Sequence, residues 1–207
     1  MNRRTFMQGA LLTTATAAAT ACSGGSGKKG PAPTTAPPAD ALAGDLSLAT
    51  LLVSLENLLV YTYQDGLNRK DKLGPYPAAV QSAIEALQAQ HKEHAVAWNS
   101  VLTGAGKPGV TGTNLTVKAA TVDPQLFRAK DAVAFLAVCA DLENLCAITY
   151  LATMGAFDNV AALKVAASIL PVENEHVAAL GFLLGRNPAA DSFAHPDGAR
   201  TPNDAIG

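Results

Sequence analysis

The chain has 207 residues, of which 49% are hydrophobic but only 5% aromatic and 15% charged. Alanine and leucine supply most of the apolar side chains and favour helices over strands, so the composition excludes an all-β sandwich. A formal net charge of −2 gives no basic surplus for nucleic acid, and we predict no nucleic-acid partner. No apolar run reaches the roughly 18 uncharged residues of a membrane-spanning helix. The sequence therefore predicts a small helical domain.

Residues 1–21 have the organisation of an export signal. Arg3 and Arg4, followed by Phe6, precede a short apolar stretch that ends in small residues. This start resembles the twin-arginine signal, so we expect the twin-arginine export machinery to be a partner. The alternative, a disordered basic tail, fits the apolar stretch poorly.

The segment after the apolar stretch contains a candidate lipid-attachment site. Ala19-Thr-Ala-Cys22 resembles a bacterial lipoprotein processing site, at which Cys22 would be lipidated. The usual leucine three residues before the cysteine is alanine here, and the same Ala-x-Ala also suits ordinary cleavage. We predict a domain held at the extracytoplasmic face of the cell membrane, or else secreted. Residues 22–45, rich in Gly, Pro, Ala and Ser, are predicted to be a flexible tether.

Four segments then carry helical periodicity: A, about 46–65; B, about 77–102; C, about 129–154; and D, about 159–184. The A–B and C–D joints are short. About twenty-five residues with several Gly and Pro separate B from C, enough to cross the length of a bundle. We predict an all-α fold, a four-helix bundle over residues 46–186, followed by an irregular C-terminal tail over residues 187–207.

The two halves of this region resemble each other. Residues 54–63 and 141–150 are identical at six of ten positions, including a glutamate, a threonine and a tyrosine. Glu93-His94 in segment B matches Glu175-His176 in segment D. Chance similarity between two Ala/Leu-rich helices would not place these polar residues in step. We therefore predict two pseudo-repeated helical hairpins joined by the long B–C crossover.

Three glutamates and three histidines fall on the apolar faces of the four segments: Glu56 in A, His91 and His94 in B, Glu143 in C, and Glu173 and His176 in D. Residues three apart on a helix share a face, so each pair in B and D can reach one point inside the bundle. A buried carboxylate without a partner is costly, and no lysine or arginine is placed to neutralise these acids. A metal ion would do so. The alternative is a metal-free bundle in which acids and imidazoles hydrogen-bond each other.

In these residues the sequence resembles the ferritin-like superfamily, and more closely its exported bacterial members. The resemblance rests on Leu55-Glu56, on Leu142-Glu143 with Tyr150 after it, and on residues 167–176. The family pattern, one Glu from each of two helices and a Glu-x-x-His from each of the others, implies a dinuclear Fe or Mn centre. It implies these ligands: Glu56, Glu143, Glu173, His176 and His94.

Two residues depart from that pattern. His91 stands where the family has a glutamate, and Pro171 removes a helix hydrogen bond just before Glu173, so we expect a kink in segment D there. Imidazole can still bind a metal, so His91 stays in the predicted set. Mixed nitrogen and oxygen ligands suit Fe, Mn or Zn better than Mg or Ca. Tyr63 and Tyr150, two turns beyond their glutamates, either pack in the core or support the metal ligands.

The resemblance implies ferroxidase, oxidase or peroxide-scavenging activity, and whether the protein is an enzyme stays open. The alternative is a non-catalytic envelope module that binds metal or is purely structural. Segment A is apolar nearly all round, which predicts a buried central helix or a homo-oligomer interface. Cys139 and Cys146, seven residues apart on one helix, cannot form a disulfide and are interpreted as small buried apolar side chains. The alternative is a role as soft metal ligands, since they flank Glu143.

Overall fold

The computed structural model describes residues 39–187 and 195–204. The signal residues Arg3 and Arg4 and the lipidation candidate Cys22 lie outside the described residues, so their roles stay predictions. The described part contains four long helices: α1, Ala39–Asn68; α2, Ala78–Gly104; α3, Ala132–Thr153; and α4, Val160–Leu183. They correspond to segments A to D, and the all-α four-helix bundle is confirmed.

Helix α1 packs along α2 and α3 along α4, so each half of the chain is a helical hairpin. The hairpins meet mainly through α1 and α3, and less extensively through α2 and α4. Gly66 lies where α1 passes close to α3, because a Cβ atom at that position would overlap the ring of Phe135. Between the two hairpins, α1 and α3 therefore make the closer contact, with Gly66 leaving room for the Phe135 ring.

Several helix ends are fixed by short polar side chains. Asp131 caps α3 by accepting a 2.8 Å hydrogen bond from the backbone N–H of Ala134. Asn159 caps α4 through the N–H groups of its first turn. The buried carboxylate of Asp45 on α1 accepts hydrogen bonds from the backbone N–H groups of Asp158 (3.0 Å) and Asn159 (2.7 Å). The start of α4 is therefore tied to α1.

The connection between α2 and α3 is the predicted long crossover, here with three short helical turns: Leu115–Val117, Lys118–Val122 and Asp123–Arg128. Asn57 on α1 donates hydrogen bonds to the carbonyl oxygens of Val110 (3.2 Å) and Gly112 (3.0 Å). The side chain of Asn114 donates to the hydroxyl of Ser54 and to the carbonyl oxygen of Asp204. These contacts hold the crossover and the C-terminal turn Pro202–Asp204 against the bundle.

Helices α1 and α3 are long and apolar enough, by length and composition, to cross a membrane. Their most apolar windows are nevertheless 61% and 56% buried inside the bundle, as expected of core helices. Five leucines of α1 have no exposed surface: Leu51, Leu52, Leu55, Leu58 and Leu59. Burial within one chain thus accounts for the apolar surface of segment A, and self-association through it stays a prediction. Helix α1 also begins within the stretch assigned to the tether, where Ala and Leu favour helix.

Candidate metal centre

The six predicted residues converge at the middle of the bundle, although they come from four helices: Glu56 from α1, His91 and His94 from α2, Glu143 from α3, and Glu173 and His176 from α4. All six are buried, with at most 8% of any residue exposed. Helical spacing explains this, because each acid or imidazole replaces an apolar residue on an inward stripe.

The six side chains form two overlapping groups. One contains Glu56 and His94, the other contains Glu143 and His176, and both groups share His91 and Glu173. Within each group, one potential ligand atom per residue lies within 4.8 Å of all the others. The internal repeat thus gives each group one glutamate and one histidine of its own, and His91 and Glu173 belong to both groups.

His91 lies between Glu56 and Glu143, the two glutamates that each belong to only one of the groups. Its Nδ1 is 2.7 Å from Glu56 Oε2, and its Nε2 is 2.9 Å from Glu143 Oε1. These are the contacts that the metal-free alternative predicts for two of the three acids. In the described residues the ion pairs of these acids are all with histidine, as expected from the scarcity of lysine and arginine in the helices.

Glu173 is different, because neither of its buried carboxylate oxygens has a hydrogen-bond partner. The Nδ1 atom of His94 is also buried without one. Glu173 Oε1 and His94 Nδ1 lie only 2.9 Å apart, but their orientation is not that of a hydrogen bond. Leaving such groups unsatisfied costs about 1–3 kcal/mol each, more when charged. A cation between these atoms would bind their free lone pairs. The ligand atoms present therefore fit a metal ion.

Two tyrosines contact the glutamates across the pseudo-repeat. Tyr63 on α1 donates a hydrogen bond to Glu143 Oε1, and Tyr150 on α3 donates one of 2.5 Å to Glu56 Oε1. Each tyrosine lies seven residues beyond the glutamate of its own helix, so these crossed contacts require α1 and α3 to run antiparallel. Both tyrosines are fully buried, and they both pack in the core and orient a carboxylate.

Two further residues at the site were not singled out from the sequence as site residues. Trp98 Nε1 donates a 2.6 Å hydrogen bond to the hydroxyl of Tyr150. Gln90 Oε1 lies 2.7 Å from Nε2 of His176, on the outer side of that ring. Gln90 and Trp98 lie four residues before and after His94, a spacing that places them on its face of α2. Their partners lie on other helices, which local spacing does not reveal.

The electrostatics of the cluster are uneven. Burial raises the pKa of Glu56, but contacts with His91 and His94 outweigh burial and lower that pKa to about 2. Histidine contacts likewise hold the pKa of Glu143 well below its ordinary value, against the effect of burial. Burial and the charge of Glu56 raise the pKa of Glu173 to about 8. Contacts with Glu173 and Glu56 outweigh burial and raise the pKa of His94 to about 9. Without a metal, protons therefore neutralise much of the cluster.

Cys139 and Cys146 are both free and buried, as expected for small apolar side chains. Burial raises the pKa of each thiol well above its ordinary value. A thiol that stays protonated is a poor metal ligand, because the thiolate is the ligand form. Neither cysteine belongs to the two groups of candidate ligands.

Comparison with known proteins agrees with this architecture. A family model described as ferritin-like domain matches residues 44–186. This range includes all six residues of the cluster. The chain therefore belongs to the ferritin-like domain family. No curated protein and no solved structure matches the chain.

Proposed function

We propose that this chain is an exported, lipid-anchored ferritin-like protein that binds two iron or manganese ions in the six-residue cluster. The observation that carries the metal proposal is Glu173, whose two buried carboxylate oxygens lack hydrogen-bond partners. A purely structural bundle gains nothing from that arrangement, whereas a cation would satisfy Glu173 and His94 together.

The chemistry of the donor atoms supports a redox metal. Carboxylate oxygens and imidazole nitrogens suit Fe, Mn or Zn, and the ferritin-like fold often binds iron. Bound iron or manganese supplies one-electron exchange with oxygen or peroxide, which is the basis for a ferroxidase, oxidase or peroxide-scavenging role. The protein keeps the site buried, and Tyr63 and Tyr150 orient two of the carboxylates through hydrogen bonds.

Elemental analysis of residues 23–207, which lack the export signal and are purified after folding in a metal-replete cytoplasm, tests this proposal. We expect about two Fe or Mn ions per chain, and their loss in Glu173→Gln, which removes a carboxylate that both groups share. Glu175→Gln is the matched control, because Glu175 lies two residues away on the exposed face of α4. A metal-free protein whose melting temperature does not change when metal is added would contradict the proposal.

The second candidate is a non-catalytic envelope protein in which the bundle stores metal or mediates interactions. The hydrogen bonds of His91 to Glu56 and Glu143 favour it, because they satisfy two acids without metal. Adding peroxide to the reduced, metal-loaded protein separates the candidates. A rapid optical change indicates a catalyst, and an unchanged spectrum indicates a metal-binding or structural module.

Export and anchoring are separate parts of the proposal and rest on the N-terminal sequence. The twin-arginine route carries folded proteins, so metal could be bound in the cytoplasm before export. Fractionation of cells that express the full chain should place it in the membrane, with Arg3→Lys/Arg4→Lys retaining it in the cytoplasm. Cys22→Ser should abolish labelling by a fatty acid and release the domain. Unchanged fractionation of both variants would contradict this part.

A further inference from the structure

The two groups of candidate ligands share His91 where the family pattern has a glutamate, and this makes them unequal. A carboxylate has two oxygens and can bind one cation with each, whereas a neutral imidazole has a single lone pair. His91 can therefore complete only one of the two groups. This argument rests on the proposed metal binding and asks which group His91 completes.

The contacts of the two glutamates answer that question. Glu56 Oε1 already accepts the hydrogen bond of Tyr150, so Oε2 is the oxygen left for a cation. Glu56 Oε2 is also the oxygen 2.7 Å from His91 Nδ1. If that Nδ1 carried the proton, it would donate to Oε2, and both oxygens of Glu56 would then already accept a hydrogen bond. With Nδ1 unprotonated, both atoms can bind one cation.

The other side of the ring is consistent with this tautomer. His91 Nε2–H then donates to Glu143 Oε1, which is 2.9 Å away and already accepts the hydroxyl of Tyr63. Glu143 Oε2, the oxygen 3.3 Å from His176 Nδ1, stays available for a cation. A histidine ligand whose second N–H donates to a carboxylate is a common arrangement in metal sites, and it strengthens the ligand.

We propose that the centre consists of two unequal subsites. The His94 subsite has four ligands: Glu56 Oε2, His91 Nδ1, His94 Nδ1 and Glu173 Oε1. The His176 subsite keeps three of the four residues in its group once His91 binds in the other: Glu143 through Oε2, His176 through Nδ1, and Glu173 through its second oxygen. Of the site's buried atoms without hydrogen-bond partners, His94 Nδ1 and Glu173 Oε1 belong to the four-ligand subsite and Glu173 Oε2 to the three-ligand subsite. The His94 subsite therefore fills first and holds its cation more tightly.

Anaerobic titration of the metal-free full chain with Mn²⁺, with free Mn²⁺ measured by EPR, tests the inequality. We expect two binding events whose dissociation constants differ by about tenfold or more, since even losing a supporting group costs 10–100-fold in affinity. His94→Gln and His176→Gln are a matched pair, related by the internal repeat and both buried. His94→Gln should remove the tight event, and His176→Gln should remove only the weak one.

His91→Glu restores the family pattern and should strengthen the weak event by about tenfold or more. If that variant does not fold, the matched histidine pair still decides the question. Two equal events in the unmodified chain, or equal loss of the tight event in both histidine variants, would overturn the inequality while the metal proposal stands. No binding of Mn²⁺ by the unmodified chain would overturn both.

Discussion

Trp98 donates its indole N–H to the hydroxyl of Tyr150 at 2.6 Å, and neither side chain has exposed surface. Tyr150 in turn donates to Glu56, so a buried tryptophan contacts a candidate metal ligand through one intervening hydroxyl. Trp98 also stacks on Phe157, with ring centroids 5.7 Å apart. The internal repeat places Leu180 at the equivalent position of α4, and a leucine side chain cannot donate the corresponding hydrogen bond to Tyr63.

Trp98→Phe removes the only indole donor in the chain and leaves the Tyr150 oxygen without it. We expect the free energy of unfolding of the metal-free protein to fall by about 1–3 kcal/mol, from the lost hydrogen bond and lost packing. Urea denaturation of Trp98→Phe, Tyr150→Phe and the double variant measures the coupling. Because the two residues share a hydrogen bond, the double variant should lose less than the sum of the single losses. If the double variant lost the full sum of the two single losses, the hydrogen bond between Trp98 and Tyr150 would be contradicted.

Gln90→Leu tests whether the outer contact of His176 matters for metal binding. Gln90 is exposed, so its loss should leave the melting temperature of the metal-free protein unchanged. Without the acceptor 2.7 Å from Nε2, His176 loses the contact that orients Nδ1 toward the site, and metal affinity should fall about 10–100-fold. Gln90→Glu keeps an acceptor and should retain affinity. If Gln90→Leu and Gln90→Glu bind metal equally well, the contact between Gln90 and His176 does not contribute to metal binding.

The metal-free protein should become less stable as the pH rises. Glu173 has its pKa raised from 4.5 to about 8, so its contribution to stability is complete below pH 4.5 and lost as pH rises through about 8. His94 has its pKa raised from 6.5 to about 9, so its contribution is complete below pH 6.5 and lost as pH rises through about 9. Thermal melting in chelator between about pH 6 and about pH 9 measures the decline.

Metal should remove this pH dependence, because a bound cation replaces the protons of the cluster. Metal affinity should therefore rise over the same interval, with protons released on binding that can be measured in weakly buffered solution. Glu173→Gln, which cannot ionise, should show a flatter melting profile in chelator. A metal-free melting temperature that rises with pH in this interval would contradict the assigned shifts.

Asp45→Ala should weaken the connection between α1 and the start of α4. The substitution leaves the backbone N–H groups of Asp158 and Asn159 without their acceptor, which should cost about 1–3 kcal/mol of unfolding free energy. Asp141→Ala is the matched control, because its carboxylate is exposed and only 3.8 Å from Arg186. Exposed pairs of this kind contribute about 0–1 kcal/mol. Equal losses in both variants, by chemical denaturation, would show that the Asp45 contacts are not significant.

Much of the fold could be predicted because the apolar period, the helix breaks and the repeat all indicate the same arrangement. The glutamates were visible because a carboxylate on a leucine stripe is costly without a partner. The start of α1 at Ala39 could not be predicted from the sequence. An Ala-rich stretch that follows Gly and Pro residues suits both a tether and a helix.

The contacts between helices were the part that sequence could not supply. Helical spacing places Gln90 and Trp98 on the face of His94, but whether they meet His176 and Tyr150 depends on how the hairpins dock. The absence of hydrogen-bond partners for the Glu173 oxygens likewise becomes clear only when the positions of all neighbouring donors are known. Spacing within a helix predicts which residues share a face, whereas the pairing of faces is a property of the assembled bundle.

The crossed contacts of Tyr63 with Glu143 and of Tyr150 with Glu56 have the reciprocity of a two-fold symmetric dimer, in which residue i meets j and j meets i. Each hairpin thus supplies the hydroxyl that its neighbour's carboxylate needs and receives the same in return. A single hairpin would have to pair with a copy of itself to recover both bonds. Because the two hairpins are parts of one chain, the equivalent positions 91 and 173 can hold different residues, here histidine and glutamate, which two identical chains could not do.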